Sequence, residues 1–110
     1  MPDDWRTVPF QDVLIHITDH AVERFLERWL YAYPTKPEPR RPLVVLAGLL
    51  GRAEPFELPP AEKVRRIIAG KFKNDAQYWE HDGWCFVTKR AGANHVLVTV
   101  LHREMQGDEH

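Results

Sequence analysis

The sequence predicts an α+β domain in which an N-terminal strand and about three helices pack on an antiparallel meander of three or four strands. A short β-branched run at residues 13–17 precedes an amphipathic helical pattern at 19–33, and the last third of the chain alternates with period two. Separate helical and strand-rich regions are typical of this class. The 110 residues, with four Trp, three Tyr and five Phe, suffice for one core, so we expect a single domain over residues 1–110.

The first helix is predicted to cover residues 19–33. Thr18 has the side chain of an N-cap, Asp19 places a negative charge at the positive end of the helix, and Pro34 ends it. The apolar residues recur at three- and four-residue spacing and therefore form a core stripe: Ala21, Val22, Phe25, Trp29 and Ala32.

The middle of the chain is predicted to hold a connector and two more helices. Residues 34–42 contain four prolines and form a stiff, extended connector inside the domain. Residues 43–50 predict a short buried helix, with a strand as the alternative because two adjacent valines leave the period ambiguous. A further helix is predicted from Pro59 to Ala69, ending at Gly70.

The last third predicts three strands joined by tight turns. Residues 76–81 and 84–89 flank Asp82-Gly83, which supplies the positive φ angles of a two-residue hairpin turn. A second turn at residues 91–94 leads into a strand at 95–102.

Alternation along these strands divides the side chains between two faces. The face that we expect the helices to cover carries Cys85, Val87, Val96, Val98 and Val100. The opposite face carries Trp79, Trp84 and Phe86 with several His and Arg side chains. An aromatic face of this kind is either a binding surface or the underside of another element.

Composition excludes several classes of function. The chain has no serine, which excludes a Ser-His-Asp hydrolase. Its one cysteine, Cys85, rules out an internal disulfide and a cysteine-rich zinc site. No His or acidic cluster has the spacing of a zinc or EF-hand site, so we expect neither a metal nor a cofactor. Fifteen Lys and Arg nearly balance sixteen Asp and Glu, so nucleic-acid binding would depend on local patches.

The cellular location of the protein is predicted from its apolar runs and from its first residues. The acidic start Met1-Pro2-Asp3-Asp4 is unlike a secretory leader, and the longest apolar stretch, residues 43–50, is too short for a bilayer. We therefore expect a cytoplasmic protein without membrane contact, with a frayed tail over residues 104–110.

The first candidate site lies on the first predicted helix. His20, Arg24 and Arg28 are four residues apart and share a face, where an imidazole could move a proton and guanidinium groups could hold a phosphate. The alternative is a solvated flank in which Glu23 or Glu27 pairs with the arginines.

A family resemblance involves the same helix. Residues 17–28, Ile-Thr-Asp-His-Ala-Val-Glu-Arg-Phe-Leu-Glu-Arg, resemble the opening of small uncharacterised bacterial and phage proteins with an I-T-x-H-A-x-x-R-x-x-x-R helix, and residues 98–101 resemble their final strand. The layout of that family is similar to the RelE-like (barnase–EndoU–colicin–RelE) fold of toxin–antitoxin ribonucleases. The resemblance covers about half of the chain and implies roles for His20, Arg24 and Arg28, and loosely for Thr99.

The second candidate site lies at the strand ends of the meander and comprises Lys89, Arg90, His95, His102 and Arg103. Metal-independent RNA cleavage needs a base for the 2′-hydroxyl, an acid for the leaving oxygen and cations on the phosphate. Alternation places His102 on the helix side, where the first helix could bring His20 near it, and points Arg90 and Arg103 to the other side. Which side is active stays open, and plain solvation of edge residues is the alternative.

The third candidate is a basic run around Phe72, comprising Lys63, Arg65, Arg66, Lys71 and Lys73. Cations beside an aromatic side chain can follow a nucleic-acid backbone. An ordinary charged helix face is the alternative.

The leading prediction is an RNA-directed, RelE-like protein that acts as a metal-independent endoribonuclease toxin. His20 or His102 would be the general acid or base, and Arg24, Arg28 and Arg90 would hold the phosphate. RNA or the ribosome would be the substrate, and an antitoxin-like protein would be the partner.

The alternative prediction is a non-enzymatic protein, of phage origin, that docks on a host protein. Trp79, Trp84 and Phe86 would form its interface, because aromatic residues dominate protein–protein contacts. A homodimer through the same face fits either function.

Overall fold

A computed structural model of the chain describes residues 7–55 and 76–104. These residues form two helices and a six-stranded curled mixed sheet, which confirms the α+β class. The helix predicted from Pro59 to Ala69 lies outside the described residues.

Both described helices follow the sequence pattern closely. Helix α1 spans Asp19–Ala32, and the Thr18 hydroxyl caps it by accepting the Ala21 N–H at 3.1 Å. The same hydroxyl donates to the Leu97 carbonyl at 2.9 Å, which ties the start of α1 to the sheet. Helix α2 spans Pro42–Arg52 with proline in its first turn, so the alternative of a strand there is wrong.

The strands are β1 (Thr7–Phe10), β2 (Val13–Ile17), β3 (Glu54–Pro55), β4 (Ala76–His81), β5 (Trp84–Ala91) and β6 (Asn94–His102). Their order in the sheet is β1-β2-β6-β5-β4-β3. The predicted hairpins β4–β5 and β5–β6 are confirmed. The expected purely antiparallel sheet is wrong, because β2 pairs parallel to β6. Two short edge strands, β1 and β3, were not predicted.

The prediction of which sheet face the helices cover is wrong. Trp79, Trp84 and Phe86 belong to the core cluster beneath α1 and α2, whereas Cys85 and Val87 are buried on the opposite face. Covering the aromatic face removes more apolar area from water, which favours the observed side.

A β-bulge in β6 explains why simple alternation fails there. Val87 pairs with Thr99 but its neighbour Thr88 pairs with Leu97, so Val98 is an extra residue. The bulge puts Leu97 and Val100 on the same core-facing side. Val100 was therefore assigned to the covered face correctly, but Leu97 was not.

Helix α1 runs over β6 in the same direction. Its start is fixed at Leu97 by Thr18, and its end reaches Trp84, whose indole Nε1 donates to the Tyr33 hydroxyl at 3.2 Å. Trp84 is paired with His102 in the sheet. The C-terminal end of α1 therefore lies beside the C-terminal end of β6.

Candidate functional site

A pocket of about 340 Å³ lies where the end of α1 meets the end of β6. Helix residues form one wall and the strand ends form the other: Tyr31, Ala32, Tyr33, Pro34, Asp82, His102, Arg103 and Glu104. We call this the α1-end pocket. Its volume lies within the range of small-ligand sites, and its lining mixes aromatic, acidic, basic and imidazole groups.

Tyr33 joins the two walls of the α1-end pocket. It caps α1, since its N–H donates to the Trp29 carbonyl at 2.8 Å. Its hydroxyl accepts the indole N–H of the fully buried Trp84 and lies 3.4 Å from the Asp82 Oδ2. Pro34 follows and cannot continue the helix, so this geometry is set by the helix end.

The Asp82-Gly83 turn forms the base of the strand wall. Both residues have positive φ, 53° and 85°, as the sequence predicted for this hairpin. The Gly83 N–H donates to Glu80 Oε2 at 3.0 Å, and the Gly83 carbonyl accepts the Arg103 N–H at 3.0 Å. A Cβ at Gly83 would lie 3.0 Å from Arg103 Nε and 3.1 Å from His102 Nε2, so these two side chains would have to shift to admit it, and the φ of 85° also favours glycine.

His102 is the buried imidazole of the pocket. Its ring meets the Trp84 ring nearly edge-on at 4.6 Å, and its Nδ1 accepts the Glu104 N–H at 3.0 Å. An Nδ1 that accepts places the proton of the neutral ring on Nε2. Burial lowers the pKa of His102, and the Arg103 charge lowers it further, against opposing contributions from Glu104 and Asp82. The imidazole is therefore held in its neutral, basic form at neutral pH.

Two cations flank the pocket and are accessible. Arg103 is about half exposed, and its Nε lies 3.6 Å from Glu104 Oε2. Lys36 places its ammonium 4.9 Å from the centre of the Tyr33 ring, within cation–π distance. The α1-end pocket thus combines a neutral imidazole with exposed positive charge, although Asp82 and Glu104 offset part of that charge.

The structure does not bring His20 to His102. His20 is exposed near the start of α1, whereas His102 lies at the end of that helix. A rise of about 1.5 Å per residue puts His20 about 20 Å from Tyr33 along the helix axis. The expectation that the two histidines share a site is wrong, because α1 runs parallel to β6.

The arginines of the first helix form ion pairs on its flank. The Arg24 Nη1 lies 2.7 Å from Glu27 Oε2, and the Arg28 Nη1 lies 3.3 Å from Glu27 Oε1. Arg28 is itself buried, with 7% of its surface exposed. The alternative prediction, in which Glu27 pairs with the arginines on the flank of the helix, therefore fits these residues better than an open phosphate site does.

The remaining cations of the meander lie away from the α1-end pocket. Lys89 and Arg90 are exposed near the other end of the β5–β6 hairpin, about 20 Å from His102 at the usual rise of a strand. His95 pairs with Arg90 but is buried against the Phe10 ring at 5.6 Å. Arg103, expected on the face away from His102, instead lines the same pocket, because the chain turns after β6. Arg65 and Arg66 lie outside the described residues.

The aromatic residues proposed for partner binding are in the core. Trp84 and Phe86 are fully buried, and Trp79 is 9% exposed with its indole N–H donated to the Thr88 hydroxyl at 3.0 Å. A docking surface or homodimer interface made of these side chains is therefore wrong. These three side chains pack in the core beneath the helices and are not available to a partner.

Six of the eight residues that line the pocket were not predicted as site residues, and four of the six carry polar side chains. Tyr31 and Tyr33 fell only within the last turn of the helix predicted over residues 19–33, Asp82 only in a turn, and Glu104 only in the tail. The Asp-Gly turn next to a strand that ends in His-Arg-Glu was the available signal, because a hairpin places these segments side by side.

Comparisons of the chain with protein-family models, curated proteins and solved structures find no match. The resemblance to RelE-like toxins therefore stays a prediction. Within residues 7–55 and 76–104, no helix is long and apolar enough to cross a membrane. In the same two segments, no three His, Cys or acidic side chains are grouped so that they could hold a metal ion.

Proposed function

We propose that this protein is RNA-directed and cleaves RNA without a metal, using the α1-end pocket. The observation that carries the proposal is the meeting of a neutral buried imidazole, an exposed guanidinium and two tyrosines in one pocket of about 340 Å³. These groups supply the base, the phosphate ligand and the hydroxyl donors that such cleavage requires.

The proposed step is an attack of the ribose 2′-oxygen on the adjacent phosphorus. His102 Nδ1 takes the 2′-hydroxyl proton, the new bond from the 2′-oxygen to phosphorus forms, and the bond to the 5′-oxygen breaks. The 5′-oxygen leaves with a proton from the hydroxyl of Tyr31 or Tyr33. The proton that His102 took up then returns to this tyrosinate through solvent, which restores both groups. The products are a 2′,3′-cyclic phosphate and a 5′-hydroxyl.

Arg103 is the proposed phosphate ligand. Its guanidinium is about half exposed at the mouth of the pocket, so it can reach a phosphodiester that stays partly in solvent. A planar guanidinium can bind two phosphate oxygens at once and stabilise the charge that builds up during attack. Lys36 adds a second positive charge on the helix side.

The arginines of α1 pair with Glu27. For this reason we place the proposed cleavage site at the α1-end pocket and not at His20, Arg24 and Arg28. Arg24 donates to both Glu27 oxygens, at 2.7 and 2.8 Å, so a phosphate would have to displace a two-point ion pair. At the α1-end pocket a phosphate would displace only the longer contact between Arg103 Nε and Glu104 Oε2, at 3.6 Å.

Cleavage of naked and ribosome-bound RNA in EDTA tests the proposal. The unmodified protein should cut RNA, and Arg103→Ala and His102→Gln should lower the rate by about 100-fold or more, the usual cost of losing a charge-stabilising or proton-transfer group. Arg24→Ala and His20→Ala, which change the same residue types outside the pocket, should keep the rate. Absence of cleavage by the unmodified protein, or equal rates in all five proteins, would overturn the proposal.

A further inference from the structure

Glu104 touches both chemical groups on which the proposed cleavage depends. Its backbone N–H donates to His102 Nδ1 at 3.0 Å, and its carboxylate Oε2 lies 3.6 Å from Arg103 Nε. We infer that Glu104 is an autoinhibitory residue, which occupies the α1-end pocket in place of RNA and must be displaced before cleavage. This inference rests on the proposed function of the pocket.

The backbone contact blocks the base directly. A neutral imidazole has a single nitrogen lone pair, and the lone pair of Nδ1 is already engaged by the Glu104 N–H. The 2′-hydroxyl must donate to that same lone pair to be deprotonated. The Glu104 N–H thus stands at the position where the ribose hydroxyl would donate.

The side-chain contact occupies the cation. The Glu104 carboxylate presents two oxygens and one negative charge to Arg103, as a phosphodiester group would. Both side chains of this pair are more than half exposed, at 53% and 59%. Exposed ion pairs are weak, so a phosphate that binds the guanidinium at two points can replace the carboxylate.

The position of Glu104 is fixed by the chain next to it. The Arg103 N–H donates to the Gly83 carbonyl at 3.0 Å, which holds the first residue after β6 on the hairpin turn. This carbonyl belongs to the hairpin turn at Asp82 and Gly83. Both residues have positive φ, so the turn has one tight backbone geometry. Arg103, the first residue after β6, is thereby held in place. Glu104 is the next residue, and its N–H lies on His102 Nδ1.

Two substitutions separate the backbone contact from the side-chain contact. Glu104→Gln keeps the N–H and removes the charge, whereas Glu104→Pro removes the charge and the N–H. Affinity for a 2′-O-methyl oligonucleotide, which binds but cannot be attacked, should rise about fivefold in Glu104→Gln as Arg103 is released. The pKa of His102, followed by NMR in the full chain, should be higher in Glu104→Pro than in Glu104→Gln, because only Glu104→Pro lacks the N–H that donates to the neutral ring. For the same reason Glu104→Pro should cleave RNA faster than Glu104→Gln.

Equal oligonucleotide affinity of Glu104→Gln and the unmodified protein would overturn the inference. An equal pKa of His102 in Glu104→Pro and Glu104→Gln would also overturn the inference. If Glu104→Pro does not fold, the affinity of Glu104→Gln decides alone. If no variant cleaves RNA although affinity and titration change as stated, the proposed function fails while the occupation of the pocket by Glu104 is supported.

Discussion

The Phe10 and Trp79 rings meet edge to face with their centroids 4.7 Å apart, although three strands separate β1 from β4 in the sheet order. The sheet therefore curls until its two sides touch through their side chains. His95, on the central strand β6, contacts both rings at 5.6 and 6.3 Å. These three residues hold the curl closed over the core.

Truncation of Phe10 should open this contact. Phe10 is 1% exposed, and Phe10→Ala should lower the free energy of unfolding by about 3 kcal/mol, as for other buried phenylalanines. Phe10→Leu, which keeps most of the volume, should cost about 1 kcal/mol. Urea unfolding followed by circular dichroism measures both. A loss below about 1 kcal/mol in Phe10→Ala would show that the ring contact does not hold the sheet.

Stability should fall as the pH drops below the ordinary pKa of histidine, about 6.5. Burial lowers the pKa of His95, as does the charge of Arg90, and burial also lowers that of His102. The unfolded chain then binds more protons than the folded one, so stability is present above this pH and is lost as the pH falls towards the folded-state pKa. His95→Gln should reduce the slope of unfolding free energy between about pH 7 and pH 5. A flat profile in the unmodified protein would contradict this account.

Gly83 and Gly92 offer a matched pair of glycine substitutions. Both have positive φ, 85° and 66°, so alanine is strained at either position. Only at Gly83 would the added Cβ also press on Arg103 and His102, whereas nothing lies within 4 Å of it at Gly92. Gly83→Ala should therefore destabilise the protein by about 1 kcal/mol more than Gly92→Ala, and it alone should shift the NMR signals of His102. Equal effects in thermal unfolding and in the spectra would argue against the close approach.

Removal of the Tyr33 hydroxyl should leave a buried donor without its partner. In Tyr33→Phe the indole N–H of the fully buried Trp84 loses its acceptor, which should cost about 1–2 kcal/mol. Asp82→Asn, which weakens the long contact at 3.4 Å but leaves the bond between Tyr33 and Trp84 in place, should cost less than about 0.5 kcal/mol. Urea unfolding measures the stability of both variants. A larger loss of unfolding free energy in Asp82→Asn than in Tyr33→Phe would contradict the view that the bond to Trp84 is the stronger of the two.

Local signals predicted much of the fold. Thr18 and Pro34 marked α1, and the Asp82-Gly83 turn marked the β4–β5 hairpin, because caps and tight turns need particular residue types at particular backbone angles. Long-range pairing was not predictable in this way. The parallel alignment of β2 with β6 joins residues about 80 positions apart in sequence, and no local pattern encodes it.

The site was predicted only in part, for two physical reasons. The bulge at Val98 changes which side chains of β6 face the core, and alternation cannot show an inserted residue. The direction of α1 relative to β6 decides that Tyr33, and not His20, lies near His102. His102 and Arg103 were candidates from their strand-end position, but their meeting with Tyr33 depends on tertiary packing.

The chemistry of the cut RNA ends tests most directly whether the α1-end pocket cleaves RNA. Full-length protein is incubated in EDTA with an RNA and with the same RNA carrying 2′-deoxyribose on the 5′ side of the cleaved bond. We expect 2′,3′-cyclic phosphate and 5′-hydroxyl ends from the first, none from the second, and loss of both ends in Arg103→Ala but not in Arg24→Ala. Cleavage of the 2′-deoxy substrate, or identical products from Arg103→Ala, would contradict a cleavage site in the α1-end pocket.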